Sequence, residues 1–300
     1  MKIVVTGSIG HIGKPLTTSL VQQGHGVTVI SSTSDRQPEI ENLGATAAIG
    51  SLEDEAFLTT TFARADAVYT MVPPNNYFDP SLDLLAYYRR LGTNYANALQ
   101  QAEVKRVVNL SSIGAHLAEG NGILVGAHDV EQLLNQLPPA VSLTHLRPTS
   151  FYYNLYAYVD LIKQQGIIAT NYGDRNVIPW VSPLDIADAA AEELVSNATG
   201  RKIRYVCSDE LTGEQTARIL GAAIGKPNLP WVVVPDEQVL QGLTSVGMNP
   251  KIAAGLVELY AGLQSGHLSE DYFRNRPAIL GKVKLSHFAQ EFAGAFHQNS

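Results

Sequence analysis

Three glycines near the start of the chain have the spacing of a phosphate-binding turn. Gly7, Gly10 and Gly13 stand in TGSIGHIG, after the β-branched run KIVVT and before an apolar pattern of helical period. In such a turn the first glycine allows a sharp bend, the second lets the backbone approach a pyrophosphate, and the third lets helix and strand pack closely. The exposed amides and the positive end of the helix dipole favour an anion. The turn therefore predicts a dinucleotide site, and the alternative is a structural turn packed by small residues. The expected contact residues are Gly7, Ser8, Gly10, His11, Ile12 and Gly13.

A second group of residues suited to chemistry is the aromatic segment FYYNLYAYV, which begins at Phe151. Aromatic faces suit a planar ligand, and an Asn amide or a Tyr hydroxyl can bind an oxygen atom of that ligand. An aromatic stripe at helical spacing is also typical of a packed core. We expect a split in which Tyr152 or Tyr153, together with Asn154, faces a cleft while the other rings are buried. Trp180 is expected to line the far side of the cleft.

The elements that must position these residues alternate between strand and helix. The β-rich runs are 2–6, 27–31, 46–49, 67–72, 106–111 and 141–146, and the helical patterns are 12–23, 36–43, 53–63, 80–102 and 126–137. This alternation predicts βαβ units and an α/β fold with a doubly wound parallel sheet. Several of the runs are almost continuously apolar, which is typical of strands covered by helices on both faces.

The alternation changes after residue 150. The segment FYYNLYAYVDLIKQQG predicts a helix, RKIRYVCS predicts one more strand, and LTGEQTARILGAAIG predicts a helix that Thr212 caps and Gly225 ends. We expect residues 1–150, with a contribution from about 178–208, to form the dinucleotide-binding domain. Residues 151–300 would form a smaller, mainly helical lobe, with a cleft between the two.

Composition and charge narrow the function. No run of about twenty apolar residues is present, so we expect no membrane partner, and the N-terminus predicts a strand rather than a secretion signal. Cys207 is the single cysteine, which fits a reducing, cytoplasmic compartment, and no Cys/His group has zinc spacing, so no metal is expected. A net charge of -7 argues against a nucleic-acid partner, because such binding depends mainly on Lys and Arg.

The residues after the second strand bear on the choice between NADP and NAD. NAD-binding proteins commonly have an acidic residue there, which would repel a 2′-phosphate. This chain has Ser31, Ser32 and Thr33, followed by Arg36, and hydroxyls with a guanidinium suit a phosphate. Asp35 lies between them and could pair with Arg36. We expect NADP to be favoured over NAD.

Ligands of parallel sheets lie beyond the carboxyl ends of the strands, which predicts the remaining cofactor contacts. We expect these contacts at Ser51 and Leu52, at Met71, Val72 and Pro73, and at Ser111 and Pro148.

Several longer motifs resemble one family. TGSIGHIG, with NLSSIGA at 109–115, LRPTSFYYN at 146–154, PWVSPLDIADAAAE at 179–192 and LTGEQTARILGAAIGKP at 211–227, resembles the atypical short-chain dehydrogenases/reductases. Within that branch the chain is most similar to the NmrA-like proteins and their quinone-reductase-type relatives, over nearly its whole length. The resemblance implies a Rossmann domain, a small C-terminal lobe and NAD(P) in the cleft between them. The family usually has an aspartate where this chain has Ser51, so that contact departs from the pattern.

The resemblance also directs attention to the catalytic residues. The larger short-chain family uses a Tyr-x-x-x-Lys pair with a serine; Ser112 matches the serine, but no tyrosine in this chain has lysine four residues later. NmrA-like relatives often have lysine or histidine four residues before the glutamate that matches Glu131, and here that position is Ala127. His128, one residue on, points about 100° round the helix, so it is a candidate only if the backbone is shifted.

Two functions of different classes follow. The first is an NAD(P)H-dependent reductase of a small, planar, quinone-like acceptor bound in the interdomain cleft, with candidate catalytic residues Ser112, His128, Tyr152, Tyr153 and Asn154. The second is a non-catalytic redox sensor that binds the dinucleotide and regulates a partner protein, as NmrA-like members do. An epimerase is less favoured, because such members need the missing tyrosine.

Overall fold

The computed structural model describes residues 1–173 and 175–298. The strands are β1 (Lys2–Val5), β2 (Gly26–Ser31), β3 (Thr46–Ile49), β4 (Ala67–Thr70), β5 (Arg106–Leu110), β6 (Ser142–Pro148), β7 (Ser150–Phe151), β8 (Ile168–Thr170), β9 (Ile178–Val181), β10 (Arg201–Val206), β11 (Asp209–Leu211) and β12 (Trp231–Val233). The α-helices are α1 (Gly13–Gln22), α2 (Gln37–Asn42), α3 (Glu55–Phe62), α4 (Leu84–Gln101), α5 (Val125–Leu134), α6 (Val159–Gln165), α7 (Pro183–Val195), α8 (Gly213–Ala223), α9 (Asp236–Ser245), α10 (Pro250–Ser265), α11 (Glu270–Arg274) and α12 (Leu285–Gln298).

Seven strands form one parallel sheet in the order β10-β6-β5-β4-β1-β2-β3. The order reverses between β1 and β4, and ligands of doubly wound sheets bind at such a switch point. Side chains of β1 alternate between two cores, since Ile3 and Val5 belong to one cluster and Val4 to the other. Helices α1, α2 and α7 cover the first face, and α3, α4 and α5 cover the second. The predicted α/β doubly wound fold is confirmed.

A third hydrophobic cluster is formed mainly by residues of the C-terminal half of the chain. It includes Tyr152, Trp180, Phe288 and Phe292 and is bordered by two small sheets, β11-β9-β7 and β12-β8. The fully buried side chain of Trp180 corrects the expectation that this residue lines the cleft. Residue 174 and the last two residues of the predicted 151–300 lobe lie outside the described part of the chain.

The capping residues in the sequence predicted the start and the end of α8 correctly. Thr212 caps α8 in a capping box with Gln215, and Gly225 follows the helix at φ 76°. The segment from 152 departs from the prediction of one α-helix, because Tyr152–Tyr158 is a 3-10 helix that continues into α6. In a 3-10 helix residues three apart share a face, and Tyr152 and Leu155 are the two that are buried.

Candidate functional site

The turn between β1 and α1 uses its three glycines differently. Gly7 has φ 84°, and a Cβ there would lie 2.3 Å from the Sδ atom of Met71. A Cβ on Gly13 would lie 2.0 Å from the carbonyl oxygen of Ser8. A Cβ on Gly10 would meet no atom within 4 Å. Gly7 and Gly13 are therefore needed by the fold itself, while Gly10 borders open space that a ligand could fill.

The N-terminus of α1 has no anionic or capping side chain of its own. Ile12 stands at the N-cap and offers no acceptor, and the first turn contains no acidic residue. The Lys14 amide bonds to the Gly10 carbonyl at 3.1 Å, whereas the amides before it have no intrahelical partner. These amides and the helix dipole suit an anion such as a diphosphate. Together with the open space at Gly10, they fit the dinucleotide that the sequence predicts.

Beside this turn the end of β2 carries hydroxyls. The buried Ser31 lies 3.2 Å from the hydroxyl of Ser8, and Ser32 is exposed. Thr33 caps the following short 3-10 helix by accepting from the Asp35 amide at 3.2 Å. Among the described residues, no acidic side chain is hydrogen-bonded to the hydroxyl of Ser8 or Ser31.

Two cations near this edge share one carboxylate. Arg36 bonds to Glu39 at 3.1 Å, and Lys14, in the first turn of α1, bonds to the other oxygen of Glu39 at 2.9 Å. The hydrogen bond from Lys14, helped by Arg36, holds the pKa of Glu39 below its usual value. The partner of Arg36 is thus Glu39 and not Asp35, the pairing that the sequence left open. Sequence reasoning missed Lys14, although its place directly after Gly13 was a usable signal.

Hydrogen bonds to main-chain carbonyls hold the ends of the strands that face the turn. Met71, Val72 and Pro73 are half-buried, and the Tyr95 hydroxyl donates to the Met71 carbonyl at 2.6 Å. The Ile113 amide donates to the Pro148 carbonyl at 2.8 Å. The predicted contacts at β3 are also at this edge, where Ser51 is exposed and Leu52 is half-buried.

The two serines after β5 have different environments. Ser111 is buried and donates to Glu131 at 2.5 Å, and Glu131 in turn accepts a bidentate pair of bonds from the buried Arg147. Burial opposes the charge of Arg147, but its bonds with Glu131 still raise its pKa above the ordinary value. Ser112 is half-buried, and no side-chain partner occupies its hydroxyl among the described residues. Ser112 is therefore the serine that is free for a ligand.

His128 faces the loop after β5. Its Nδ1 donates to the Ala115 carbonyl at 2.9 Å, which leaves Nε2 as an acceptor, and Ala127 beside it is buried. A catalytic role for His128 stays a prediction.

The rings of the aromatic segment differ in burial and in what they contact. The Tyr152 ring is 1% exposed, and its hydroxyl donates to Asp209 at 2.8 Å, so this side chain belongs to the C-terminal core. That burial corrects the choice of Tyr152 as an acceptor contact. Tyr153 stacks on His11 of the glycine turn, with ring centroids 4.9 Å apart and an interplanar angle of 23°. Asn154 is exposed. Tyr153 is the tyrosine of this pair that reaches the glycine turn.

A cavity of about 560 Å³ lies elsewhere, between α5, β6, β10 and α11. Arg147, Glu131 and Asp271 line it, and Arg147 pairs with both carboxylates. Its lining includes no residue of the glycine turn, so we place the candidate site at the turn, where the groups suited to a diphosphate lie.

Within residues 1–173 and 175–298, no group of three or more His, Cys, Asp or Glu side chains could hold a metal ion. No helix in the same ranges is long and apolar enough to cross a membrane.

The sheet order, the two helix layers and the turn at the switch point define a Rossmann-type α/β protein. More closely, residues 1–265 match the model of the NmrA-like family, so the chain belongs to that family. The family resemblance predicted from the sequence motifs is confirmed.

Relatives with described activities cover almost the whole chain. The chain is 25% identical over 297 residues to an NAD(P)H azoreductase of Xenophilus azovorans, covering 98% of this chain and 99% of that one. Its fold is similar to that of an NADPH-dependent quinone oxidoreductase of Escherichia coli solved with NADPH (TM-score 0.78, 20% identity, 96% of this chain and 99% of the other). It is also similar to that of the triphenylmethane reductase of a Citrobacter species (TM-score 0.76, 18% identity, 98% and 100%).

Proposed function

We propose that this protein is an NADPH-dependent reductase that transfers a hydride to a small, planar, quinone-like acceptor. The observation that carries the proposal is the glycine turn, which has open space at Gly10, an uncapped helix N-terminus and a stacked His11–Tyr153 pair beside it. The family and the reductase activities named for its relatives support the same conclusion.

Each group at the turn has a defined task in this proposal. The amides of residues 10–13 bind the diphosphate, while the hydroxyls of Ser8 and Ser31 contact the adenosine ribose. Lys14 and Arg36, which both pair with Glu39, would bind a 2′-phosphate, because charge-assisted bonds to phosphate are strong. Residues 71–73, Ser111 and Pro148 border the cofactor at the strand ends. NADPH is therefore proposed over NADH.

Catalysis then depends mainly on position. NADPH, when bound, would supply a hydride, which is two electrons and one proton, and would be left as NADP⁺. The hydride together with one proton from water would convert a quinone to a hydroquinone. Holding reactants in attack geometry can contribute about 7–11 kcal/mol, whereas a positioned general acid contributes about 10²–10⁴-fold. The missing Tyr-x-x-x-Lys pair thus weakens the case for reducing simple ketones but leaves quinones as acceptors. Ser112 and Tyr153 would orient the acceptor.

The same missing pair favours a second candidate, a dinucleotide sensor that regulates a partner protein. For either function we propose two parts of the chain. Residues 1–150, with a contribution from about 178–208, form the dinucleotide-binding domain, and residues 151–300 form the smaller lobe. A cytoplasmic location also stays a prediction.

The test follows oxidation of NADPH by a panel of quinones, using absorbance at the reduced-nicotinamide band. Sustained turnover by the wild type that Gly10→Asp abolishes would support the reductase. Gly294→Asp is the matched control, because Gly294 also has open surroundings but lies in α12. Tight binding of NADPH or NADP⁺ without turnover of any quinone would favour the sensor instead. Failure to bind either nucleotide would contradict both functions.

A further inference from the structure

His11 projects outward from the glycine turn. Its neighbours Ile9 and Ile12 are only 6% and 8% exposed and anchor the turn in the core, whereas His11 is exposed. The residue directly before it is Gly10, whose α-carbon borders open space. His11 therefore extends from a fixed backbone at the edge of the space proposed for the cofactor.

Stacking holds the ring of His11 in one place. The ring lies against Tyr153 at a centroid distance of 4.9 Å and an interplanar angle of 23°, and Tyr153 lies against Phe151 with centroids 5.0 Å apart. Stacking covers a face of an imidazole and leaves the two nitrogen atoms, at the edge of the ring, open to hydrogen bonds. In the described part of the chain, no residue bonds to either nitrogen of His11. Both nitrogens are therefore available to a bound molecule.

The sheet order shows which half of a dinucleotide His11 would face. A dinucleotide lies across the switch point with one half on each side, and here β2 is on one side of β1 while β4, β5 and β6 are on the other. The hydroxyls of Ser8 and Ser31, at the end of β2, are proposed to contact the adenosine ribose. Tyr153, on which His11 stacks, follows β6 and β7 on the opposite side. His11 is therefore directed to the nicotinamide half, where the acceptor must receive a hydride and a proton.

The other polar side chains expected near this half are poorer proton donors. Burial is the first cause that raises the pKa of Tyr153, so its hydroxyl keeps its proton. Nδ1 of His128 donates to the Ala115 carbonyl, and its Nε2 is left as an acceptor. Ser112 carries an alcohol, which does not release its proton near neutral pH. A histidine gives up and regains a proton in that range, and both nitrogens of His11 are free to do so.

We propose that His11 is the proton donor for the acceptor. As the hydride adds to the quinone, the N–H bond of the protonated His11 ring breaks and an O–H bond forms at the acceptor oxygen that takes up the negative charge. The quinone is reduced to hydroquinone, NADPH is oxidised to NADP⁺, and water returns a proton to His11. The inference rests on the proposed reductase function, which it makes more specific.

The kinetic test compares His11→Gln and His11→Ala with the wild type, using NADPH and 1,4-naphthoquinone. A positioned proton donor contributes about 10²–10⁴-fold, and water partly replaces it in the variants, so we expect kcat to fall about 10- to 100-fold. The Kd of NADPH should stay within about twofold of the wild-type value, because backbone amides bind the diphosphate. Imidazole added to the solution should raise the kcat of His11→Ala, where the ring has left a space, and not that of His11→Gln.

Nuclear magnetic resonance gives a second readout that does not depend on turnover. Proton–carbon spectra of the imidazole groups are recorded with and without NADP⁺, and the His11 signal is identified by its loss in His11→Gln. We expect NADP⁺ to shift the His11 signal and to leave that of His287, an exposed residue of α12, unchanged.

His287→Ala is the matched control, and both its kcat and its lack of response to imidazole should equal those of the wild type. Unchanged kcat in both His11 variants would overturn the inference and leave the reductase function intact, as would a His11 signal that NADP⁺ does not shift. Loss of activity with at least tenfold weaker NADPH binding and no rescue would also overturn it, because His11 would then only position the cofactor. No turnover of any quinone by the wild type would contradict the reductase function and the inference together.

Discussion

Gly10 differs from the other two glycines of the turn in what surrounds its α-carbon. Gly7 is held against Met71 at a positive φ, and Gly13 is held against the Ser8 carbonyl, so any side chain there disturbs the fold. Gly10 has free space on its open side. At the scale of single residues, stability and ligand binding can therefore be separated within one motif.

Gly10→Ala is expected to leave the melting temperature within about 2 °C of the wild type and to weaken NADPH binding at least tenfold, because the new methyl group enters the space proposed for the diphosphate. Calorimetry measures the binding, and thermal unfolding measures the stability. Gly294→Ala serves as the control, since its Cβ also meets nothing within 4 Å. Unchanged affinity in Gly10→Ala would contradict the placement of the cofactor.

Substitutions of Arg36 and Glu39 are expected to change the affinity for NADPH in opposite directions. Arg36→Ala should weaken NADPH about tenfold and leave NADH almost unchanged, because only NADPH carries the 2′-phosphate. Glu39→Gln should strengthen NADPH binding, because it releases Lys14 and Arg36 from their carboxylate partner. Glu41→Gln, in the same helix α2, is the control. Equal losses of both nucleotides in Arg36→Ala would refute the phosphate assignment.

At the scale of elements, strand β6 carries a histidine whose side chain is buried in the sheet. In β6 the side chain of His145 is buried, and its ring bonds to Asn109 through Nδ1 and to Asn135 through Nε2, both at 3.2 Å. Such a pair of bonds suits the neutral ring, with Nδ1 accepting from the Asn109 amide and Nε2 donating to Asn135. Burial lowers the pKa of His145 to about 4. The strand thus holds an uncharged histidine at neutral pH.

His145 makes stability depend on pH in a known direction. Its folded pKa lies below the unfolded value of about 6.5, so its contribution is fully present above that pH and is lost as the pH falls toward 4. The free energy of unfolding should fall by about 2 kcal/mol between about pH 7.5 and pH 5 from this residue. Denaturant unfolding of His145→Gln should lack this part of the slope, whereas the exposed-site variant His287→Gln should keep it. A slope that is the same in all three proteins would exclude His145 as its source.

At the scale of the whole molecule, Asp185 connects α7 to a distant segment near the C-terminus. The carboxylate accepts from the Ser208 hydroxyl at 2.5 Å and from the amides of Lys282 and Val283 at 2.9 and 3.1 Å. Asp185 is 7% exposed, and Ser182, not Asp185, caps the helix. Its position in the first turn of α7 lets Asp185 reach across to the other part of the chain.

Asp185→Ala is expected to lower the free energy of unfolding by about 2–4 kcal/mol, because it leaves two amides and one hydroxyl without their buried acceptor. Denaturant unfolding monitored by tryptophan fluorescence gives the value. Asp188→Ala, in the same helix but with a side chain 58% exposed, should change stability by less than about 0.5 kcal/mol. Similar losses in both variants would show that the Asp185 contacts do not stabilise the fold.

The sequence by itself determined the α/β fold class, the capped helix α8 and the turn at Gly7–Gly13, because these follow from patterns within short segments of the chain. Only the tertiary structure decided that Tyr153 and not Tyr152 reaches the turn and that Glu39 pairs with both Lys14 and Arg36. Those contacts join residues of different elements, and their distances depend on how helices and loops pack on the sheet. Neighbouring residues of an α-helix point in directions about 100° apart. The local sequence pattern does not determine which of two neighbouring residues faces the site.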